Sequence, residues 1–266
     1  MFTTLRNACF GLCIICGNLI AEETETSQKF NWHQVIVLPE VESYCWKGHQ
    51  VINFFPWDKY YGEKKEVREF VEQHFAEAVA LNTDAGHLRY ASDYVTLEGA
   101  YLEMGVCTGR TINFIAALNP EKVIYGFDSF EGLPSDWVRP DASIPEKTFA
   151  FKNPQMLPAV LHNVRLIKGM FEETLPKFKE QSLGETPIAF VHIDCDIYEA
   201  TKTVFEVLGD NLVPGSVIVF DEYYNYPNYE QHEYKAFQEF LHKSGKKAKP
   251  LAFNQYFEQA SFIIVQ

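Results

Sequence analysis

Short apolar runs alternate with amphipathic stretches along most of the chain, most regularly from residue 100 onward. The apolar runs predict buried strands, and the stretches with apolar positions at helical spacing predict helices. The predicted strands are residues 100–102, 123–127, 164–168, 188–193, 215–220, 249–253 and 261–265. The predicted helices are residues 63–83, 111–118, 154–161, 197–208 and 230–244, with one more beginning after Gly169.

Strands and helices alternate until the last two strands, which follow one another directly. Such an order predicts an α/β fold with parallel strands joined by helical crossovers. We therefore expect a doubly wound, seven-stranded, mostly parallel Rossmann-like sheet with one antiparallel strand near the C-terminus.

The turn after the first strand carries the first candidate chemistry, within the sequence AYLEMGVCTGRT. Glu103, Gly105 and Gly109 lie in it, and the helix that opens at residues 110–111 offers free amides to an anionic group. Asp128 ends the next strand, where an acid can accept hydrogen bonds from ribose hydroxyls. The turn lacks the G-x-G-x-x-G of dinucleotide folds. We predict a nucleoside-containing cofactor with an amino-acid tail rather than a pyrophosphate.

Four carboxylates follow the fourth and fifth strands: Asp194 and Asp196, then Asp221 and Glu222. If these strands are neighbours, their carboxyl ends meet at one edge of the sheet and the four acids converge. A divalent cation would relieve their repulsion, and oxygen ligands suit magnesium, manganese or calcium better than zinc. The structural alternative is helix capping by Asp196 and solvation of Glu222. His192, inside the fourth strand, is expected to be a hydrogen-bonded core histidine.

The amino-acid composition argues against two kinds of binding partner, nucleic acid and structural zinc. The chain has 266 residues, 47% of them hydrophobic, and a net charge of −13. This charge argues against nucleic acid, whose binding depends on neutralising phosphates. Six cysteines occur without a paired Cys-His pattern, which argues against a structural zinc site.

Several stretches together resemble the macrocin O-methyltransferase family, whose members are metal-dependent enzymes that use S-adenosylmethionine (SAM) to methylate sugar hydroxyls on natural products. The stretches are LEMGVCTGRTINFIA, YGFDSFEGLPSDW, KGMFEETLP, VHIDCDIYEAT and VFDEYYNYP, in that order. The resemblance covers roughly residues 90–266.

The resemblance implies metal ligands at Asp194, Asp221 and Glu222, with Asp196 as the general base. Members commonly have two aspartates where this chain has Asp221-Glu222, so the longer glutamate changes the expected ligand geometry. The predicted SAM-binding residues are Glu103, Gly105, Gly109, Thr111, Asp128, Ser129, Gly169, Met170 and Phe171.

We therefore predict a SAM-dependent O-methyltransferase that uses Mg²⁺ and methylates a hydroxyl of a sugar or another small-molecule acceptor. An NAD(P)-dependent oxidoreductase on a similar sheet and a non-catalytic nucleoside-binding protein are the alternatives. Calorimetry with SAM and with NAD distinguishes the enzyme classes.

Three segments are expected. Residues 1–21 combine Arg6, an apolar run and Ala21 before acidic residues, which outlines either a secretory signal or a packed helix. Residues 22–89 form an N-terminal extension with a helix, which either covers the flank of the domain or caps the acceptor, and residues 90–266 form the methyltransferase domain. We expect the protein to be cytoplasmic, because SAM is made in the cytoplasm, and export is the alternative. The first segment is too short to span a membrane comfortably, and the aromatic residues of the extension are compatible with a homodimer.

Overall fold

The structure is a computed structural model, and it describes residues 61–141, 144–153 and 155–266. The chain divides into two units, and the described residues all belong to the second, Phe55–Gln266. The predictions for residues 1–21 and for residues 22–60 of the extension lie outside the described residues.

The described ranges contain a central sheet with helices between its strands. The strands are β1 (Val79–Leu81), β2 (Ala100–Met104), β3 (Ile124–Asp128), β4 (Val164–Lys168), β5 (Ile188–Ile193), β6 (Val217–Phe220), β7 (Ala248–Asn254) and β8 (Ala260–Ile264). The α-helices are α1 (Lys65–His74), α2 (Asp84–Tyr94), α3 (Arg110–Leu118), α4 (Phe171–Phe178), α5 (Tyr198–Leu208) and α6 (Glu233–Ser244).

The sheet has eight strands in the order β1-β7-β8-β6-β5-β2-β3-β4. Strand β8 runs antiparallel to both of its neighbours, β6 and β7, and the other pairings are parallel. The mostly parallel Rossmann-like sheet is thus confirmed, whereas the predicted count of seven strands is wrong.

The additional strand, β1, lies where the sequence predicts the end of a helix over residues 63–83. Helix α1 ends at His74, and the ring of Phe75 packs on the ring of Phe253 in β7, with 5.4 Å between centroids. Residues of β1 then pair in parallel with β7, Val79 with Ala252. Helical spacing continues through this stretch, but pairing with the sheet edge overrides local propensity.

One further helix prediction is wrong, and one helix of the structure was not predicted. Residues 155–161 form no helix. Helix α2 was not predicted; it begins after Thr83, whose hydroxyl accepts a hydrogen bond from the amide of Gly86 at 2.9 Å. The predicted boundary between the extension and the methyltransferase domain, at residue 89, falls inside this helix.

The direction of strand order reverses between β2 and β5, which are hydrogen-bonded neighbours at the centre of the sheet. All residues of β5 and β6 are buried, as expected for strands covered on both faces. Ligands of open parallel sheets bind at the carboxyl ends of strands beside such a reversal. Among the helices of the described ranges, none is both long and apolar enough to cross a membrane.

Gly105 allows the ends of β2 and β5 to approach each other. Its φ is +90°, and a Cβ there would lie 1.7 Å from the carbonyl oxygen of Asp194. The sequence analysis explains this glycine by the close approach of a ligand. In the structure, the close neighbour is instead the backbone carbonyl of Asp194.

We expect Gly105→Ala to lower the free energy of unfolding by more than 3 kcal/mol, because strain at positive φ (about 1–3 kcal/mol) adds to the clash with backbone. Gly245→Ala is the matched control, since Gly245 has a φ of +70° and open space around its Cβ position. Only the conformational penalty, about 1 kcal/mol, applies there. Urea denaturation measures both, and equal losses would contradict a role for the contact with Asp194.

Candidate active site

The glycine turn is held by the acid that ends β3. One carboxylate oxygen of Asp128 accepts hydrogen bonds from the amides of Val106 and Cys107, at 2.8 and 2.7 Å. The other oxygen accepts from the amide of Phe130 at 2.6 Å. A carboxylate has about four acceptor positions, so Asp128 retains acceptor capacity for a ligand hydroxyl while it fixes the turn.

Some of the other predicted cofactor residues lie at or near the surface, and some are buried. Ser129 is half-buried, and its hydroxyl donates to the carbonyl of Gly132 at 3.3 Å. The amide of Gly169 donates to the carbonyl of Asp128 at 3.0 Å, and the next side chain, Met170, is exposed. These residues therefore surround the end of β3.

Three predicted cofactor residues are buried. Thr111 lies below the surface in the first turn of α3. The ring of Phe171 belongs to the hydrophobic core, which agrees with a packing role. Glu103 has no exposed surface, and its carboxylate is 2.8 Å from Nδ1 of His192. Direct contact between Glu103 and a bound cofactor does not fit this placement.

The four acids after β5 and β6 converge as predicted. Ligand atoms of Asp194, Asp196 and Glu222 lie within 4.8 Å of one another, and so do those of His192, Asp194 and Asp221. The predicted trio of Asp194, Asp221 and Glu222 is thus divided between two overlapping groups that share Asp194. His192 is a member that the sequence analysis did not place there.

Burial of these acids shapes their acidity. Burial raises the pKa of Asp194 and of Glu222 well above the usual range, and repulsion from Asp221 adds to both shifts. Burial and the charge of Asp221 raise the pKa of Asp196 to about 7. Although burial opposes ionisation of Asp221, the neighbouring His192 lowers its pKa. Burial and mutual repulsion therefore favour the neutral forms of Asp194 and Glu222, whereas His192 favours the ionised form of Asp221.

Asp196 also has an unusual backbone conformation, with a φ of +65°. Aspartate tolerates this left-handed region better than most residues, but the conformation still costs about 1–3 kcal/mol. Strained residues of this kind concentrate at functional sites, which supports a functional role for Asp196.

Glu233 links the two acidic loops and was not found from the sequence. This fully buried residue begins α6, and its two carboxylate oxygens accept from the amides of Cys195 and Glu222, each at 3.4 Å. An acid in the first turn of a helix is common. No sequence signal shows that this one connects two distant loops.

Arg139 fixes the loop that follows β3. Its guanidinium donates two hydrogen bonds to Glu258, at 2.9 and 3.0 Å, and two to Asp141, both at 3.1 Å. It also lies between the rings of Trp137 and Tyr226, at 4.7 and 4.2 Å from their centroids. Trp137 and Tyr226 pack together with Ile197 and Leu133, so this loop is held beside the residue that follows Asp196.

Comparison with known proteins indicates which kind of protein domain has this site. Residues 102–223 match the family described as "Methyltransferase domain". A curated relative from Streptomyces olivaceus is 26% identical over 160 residues, covering 52% of this chain and 59% of that protein. It is an 8-demethyl-8-(2,3-dimethoxy-alpha-L-rhamnosyl)-tetracenomycin-C 4'-O-methyltransferase. The match thus spans about three fifths of the length of this relative.

Two solved structures are similar to the chain. A structure of CalS11, calicheamicin methyltransferase, is 21% identical, with a TM-score of 0.53 over 92% of this chain and 90% of that one. An apo structure of CalS11, described as a TDP-rhamnose 3'-O-methyltransferase, is 24% identical, with a TM-score of 0.49 over 68% and 78%. The first of these shows a shared fold. The matching family supports a methyltransferase domain over residues 102–223.

The ion pair of Arg139 and Glu258 gives a stability prediction. Both side chains are buried, so Arg139→Met should remove the two hydrogen bonds that Glu258 accepts from the guanidinium and lower the free energy of unfolding by about 3–5 kcal/mol. The double variant Arg139→Met/Glu258→Leu should lose less than the single variant, because the buried charge of Glu258 is removed together with its partner. Urea denaturation of the single and double variants checks this. A double variant that loses as much stability as the single variant, or more, would contradict it.

The contacts of Glu233 give a prediction about local dynamics. Glu233→Ala should speed amide hydrogen exchange at Cys195 and Glu222 by about fivefold or more, which corresponds to the loss of about 1 kcal/mol per hydrogen bond. Glu230→Ala, an exposed change in the same segment, is the matched control. Unchanged exchange at both amides would mean that Glu233 does not hold the loops.

Proposed function

We propose that the chain is a SAM-dependent O-methyltransferase that uses Mg²⁺ and methylates a hydroxyl of a small-molecule acceptor. The observation that carries the proposal is the convergence of Asp194, Asp196, Asp221 and Glu222 at the ends of β5 and β6. The cluster lies next to the glycine turn, because Gly105 contacts the carbonyl of Asp194. A cofactor site and an acidic site thus share one edge of the sheet.

The proposed cofactor site is formed by the turn and the ends of β3 and β4. Asp128 would accept a hydrogen bond from a ribose hydroxyl, and Gly169 and Met170 would lie against the base. Gly105 and Gly109 would shape the turn, with Ser129 at its side. When bound, SAM supplies a methyl group on a sulfonium sulfur, which an oxygen nucleophile can attack in line.

The residues of the acidic cluster fit a divalent cation. Their donors include carboxylate oxygens from two loops, and Oε2 of Glu222 is buried without a hydrogen-bond partner in the described part of the chain. We assign Asp194, Asp221 and Glu222 as the ligands, a set that suits Mg²⁺ or Mn²⁺. When bound, the cation supplies a Lewis acid that makes a hydroxyl more acidic.

Asp196 is the proposed general base. Burial and the charge of Asp221 raise its pKa to about 7, which makes it a stronger proton acceptor than an ordinary carboxylate. The residue would take the proton of the acceptor hydroxyl as the oxygen attacks the methyl carbon. Glu233 would keep the two acidic loops in register through its contacts with Cys195 and Glu222.

The proposed acceptor is a sugar or another small molecule that carries a hydroxyl group. The curated relative supports this class, since its name specifies 4'-O-methylation of a rhamnosyl tetracenomycin. The net charge of −13 argues against a nucleic-acid acceptor.

We expect Asp196→Asn to lower turnover by about 10²–10⁴-fold while SAM affinity stays within twofold, because the change removes a base and leaves the cofactor site intact. Asp210→Asn is the control, since the side chain of Asp210 is 97% exposed. Mass spectrometry of a panel of glycosylated acceptors measures methyl transfer, and calorimetry measures SAM binding.

Removal of divalent cations with a chelator should abolish turnover, and Mg²⁺ should restore it. Full turnover in chelated protein would contradict the metal assignment alone. Binding of NAD without binding of SAM would contradict the methyltransferase proposal itself.

A further inference from the structure

A row of buried polar side chains crosses the centre of the sheet, from β2 to the turn before β8. Glu103 and His192 occupy paired positions of β2 and β5, and Nδ1 of His192 is 2.8 Å from Oε1 of Glu103. On the other side of the ring, Nε2 faces Oδ1 of Asp221 at 3.8 Å. Gln259 donates a hydrogen bond to the same oxygen of Asp221 at 3.1 Å.

One oxygen of Asp221 lies between two donors of this row: Gln259 is hydrogen-bonded to it, and Nε2 of His192 faces it at 3.8 Å. Oδ1 meets Gln259 and His192, whereas Oδ2 takes part in no hydrogen bond within the described ranges. A carboxylate that is held through one oxygen presents the other in a fixed direction. Orienting contacts of this kind strengthen cation binding by carboxylate and histidine ligands.

The geometry points to His192 as a positioning residue that orients Asp221 for cation binding, with Glu103 acting through His192. The inference rests on the proposed function, because it deepens the role of the proposed metal centre. Glu103 holds the imidazole ring through Nδ1, which keeps Nε2 facing Oδ1 of Asp221. This role explains why Glu103 is fully buried although it lies in the glycine turn region.

Direct ligation by His192 is the competing arrangement. His192 belongs to one of the two groups of converging ligand atoms, and its Nε2 is buried with no hydrogen-bond partner among the described residues. In that arrangement the cation would lie between Nε2 and Asp221. The two arrangements differ in whether the imidazole nitrogen is bonded to the cation, which spectroscopy can determine.

The test measures Mn²⁺ affinity of the full chain by electron paramagnetic resonance. His192→Leu should weaken Mn²⁺ binding by about 10–100-fold, the usual effect of losing an orienting contact. His192→Gln should remain within about threefold of the wild type, because its amide nitrogen can still donate to Asp221. SAM affinity should stay within twofold in both variants. His162→Leu, a change at an exposed histidine before β4, should have no effect.

Electron spin echo measurements on the wild-type protein with Mn²⁺ provide a readout that does not depend on the folding of a variant. We expect no coupling of the strength that a directly bonded imidazole nitrogen gives. Such a coupling would overturn the positioning role, and so would equal Mn²⁺ affinity of the wild type and His192→Leu. Failure of the wild type to bind Mn²⁺ would overturn the metal centre of the proposed function together with this inference.

Discussion

Buried negative charge at the carboxyl ends of β5 and β6 is the constraint on which the rest of the site depends. Burial raises the pKa of Asp194 and Glu222, and the charge of Asp221 adds to both shifts. Carboxylates in such surroundings repel one another unless other groups compensate. His192 and Gln259 face Asp221, and under the proposed function a bound cation would compensate the remaining carboxylates.

The polar contacts in and around the cluster come from several elements of the fold. His192 faces Asp221 from within β5, Gln259 donates to it from the turn before β8, and Asp128 occupies the amides of the glycine turn. Arg139 balances Glu258 in the loop that covers the edge. These contacts hold Asp221 and the loops around the acidic cluster, whereas Oε2 of Glu222 has no hydrogen-bond partner among the described residues.

The sequence predicted the acidic cluster because its signal is topological. A strand followed at once by Asp194 or Asp221 places that acid at the sheet edge, whatever the details of packing. Strand β1 was missed because its pairing with β7 is a tertiary effect that helical spacing hides. Arg139 and Glu233 were missed because their partners lie far along the chain, 119 positions away for the pair of Arg139 and Glu258. Glu103 was predicted in the turn after the first strand, but it lies inside β2, and its side chain contacts the facing His192 of β5.

The reversed direction of β8 has a practical consequence. Ala260, at its start, pairs with Phe220 beside the acidic loops, and Ile263 pairs with Val217 at the opposite end of β6. The residues that follow β8 therefore lie at the opposite end of the strands from the acidic loops. A purification tag or fluorescent label attached after Gln266 would stand clear of the reaction centre. A label in the turn between β7 and β8 would disturb Glu258 and Gln259.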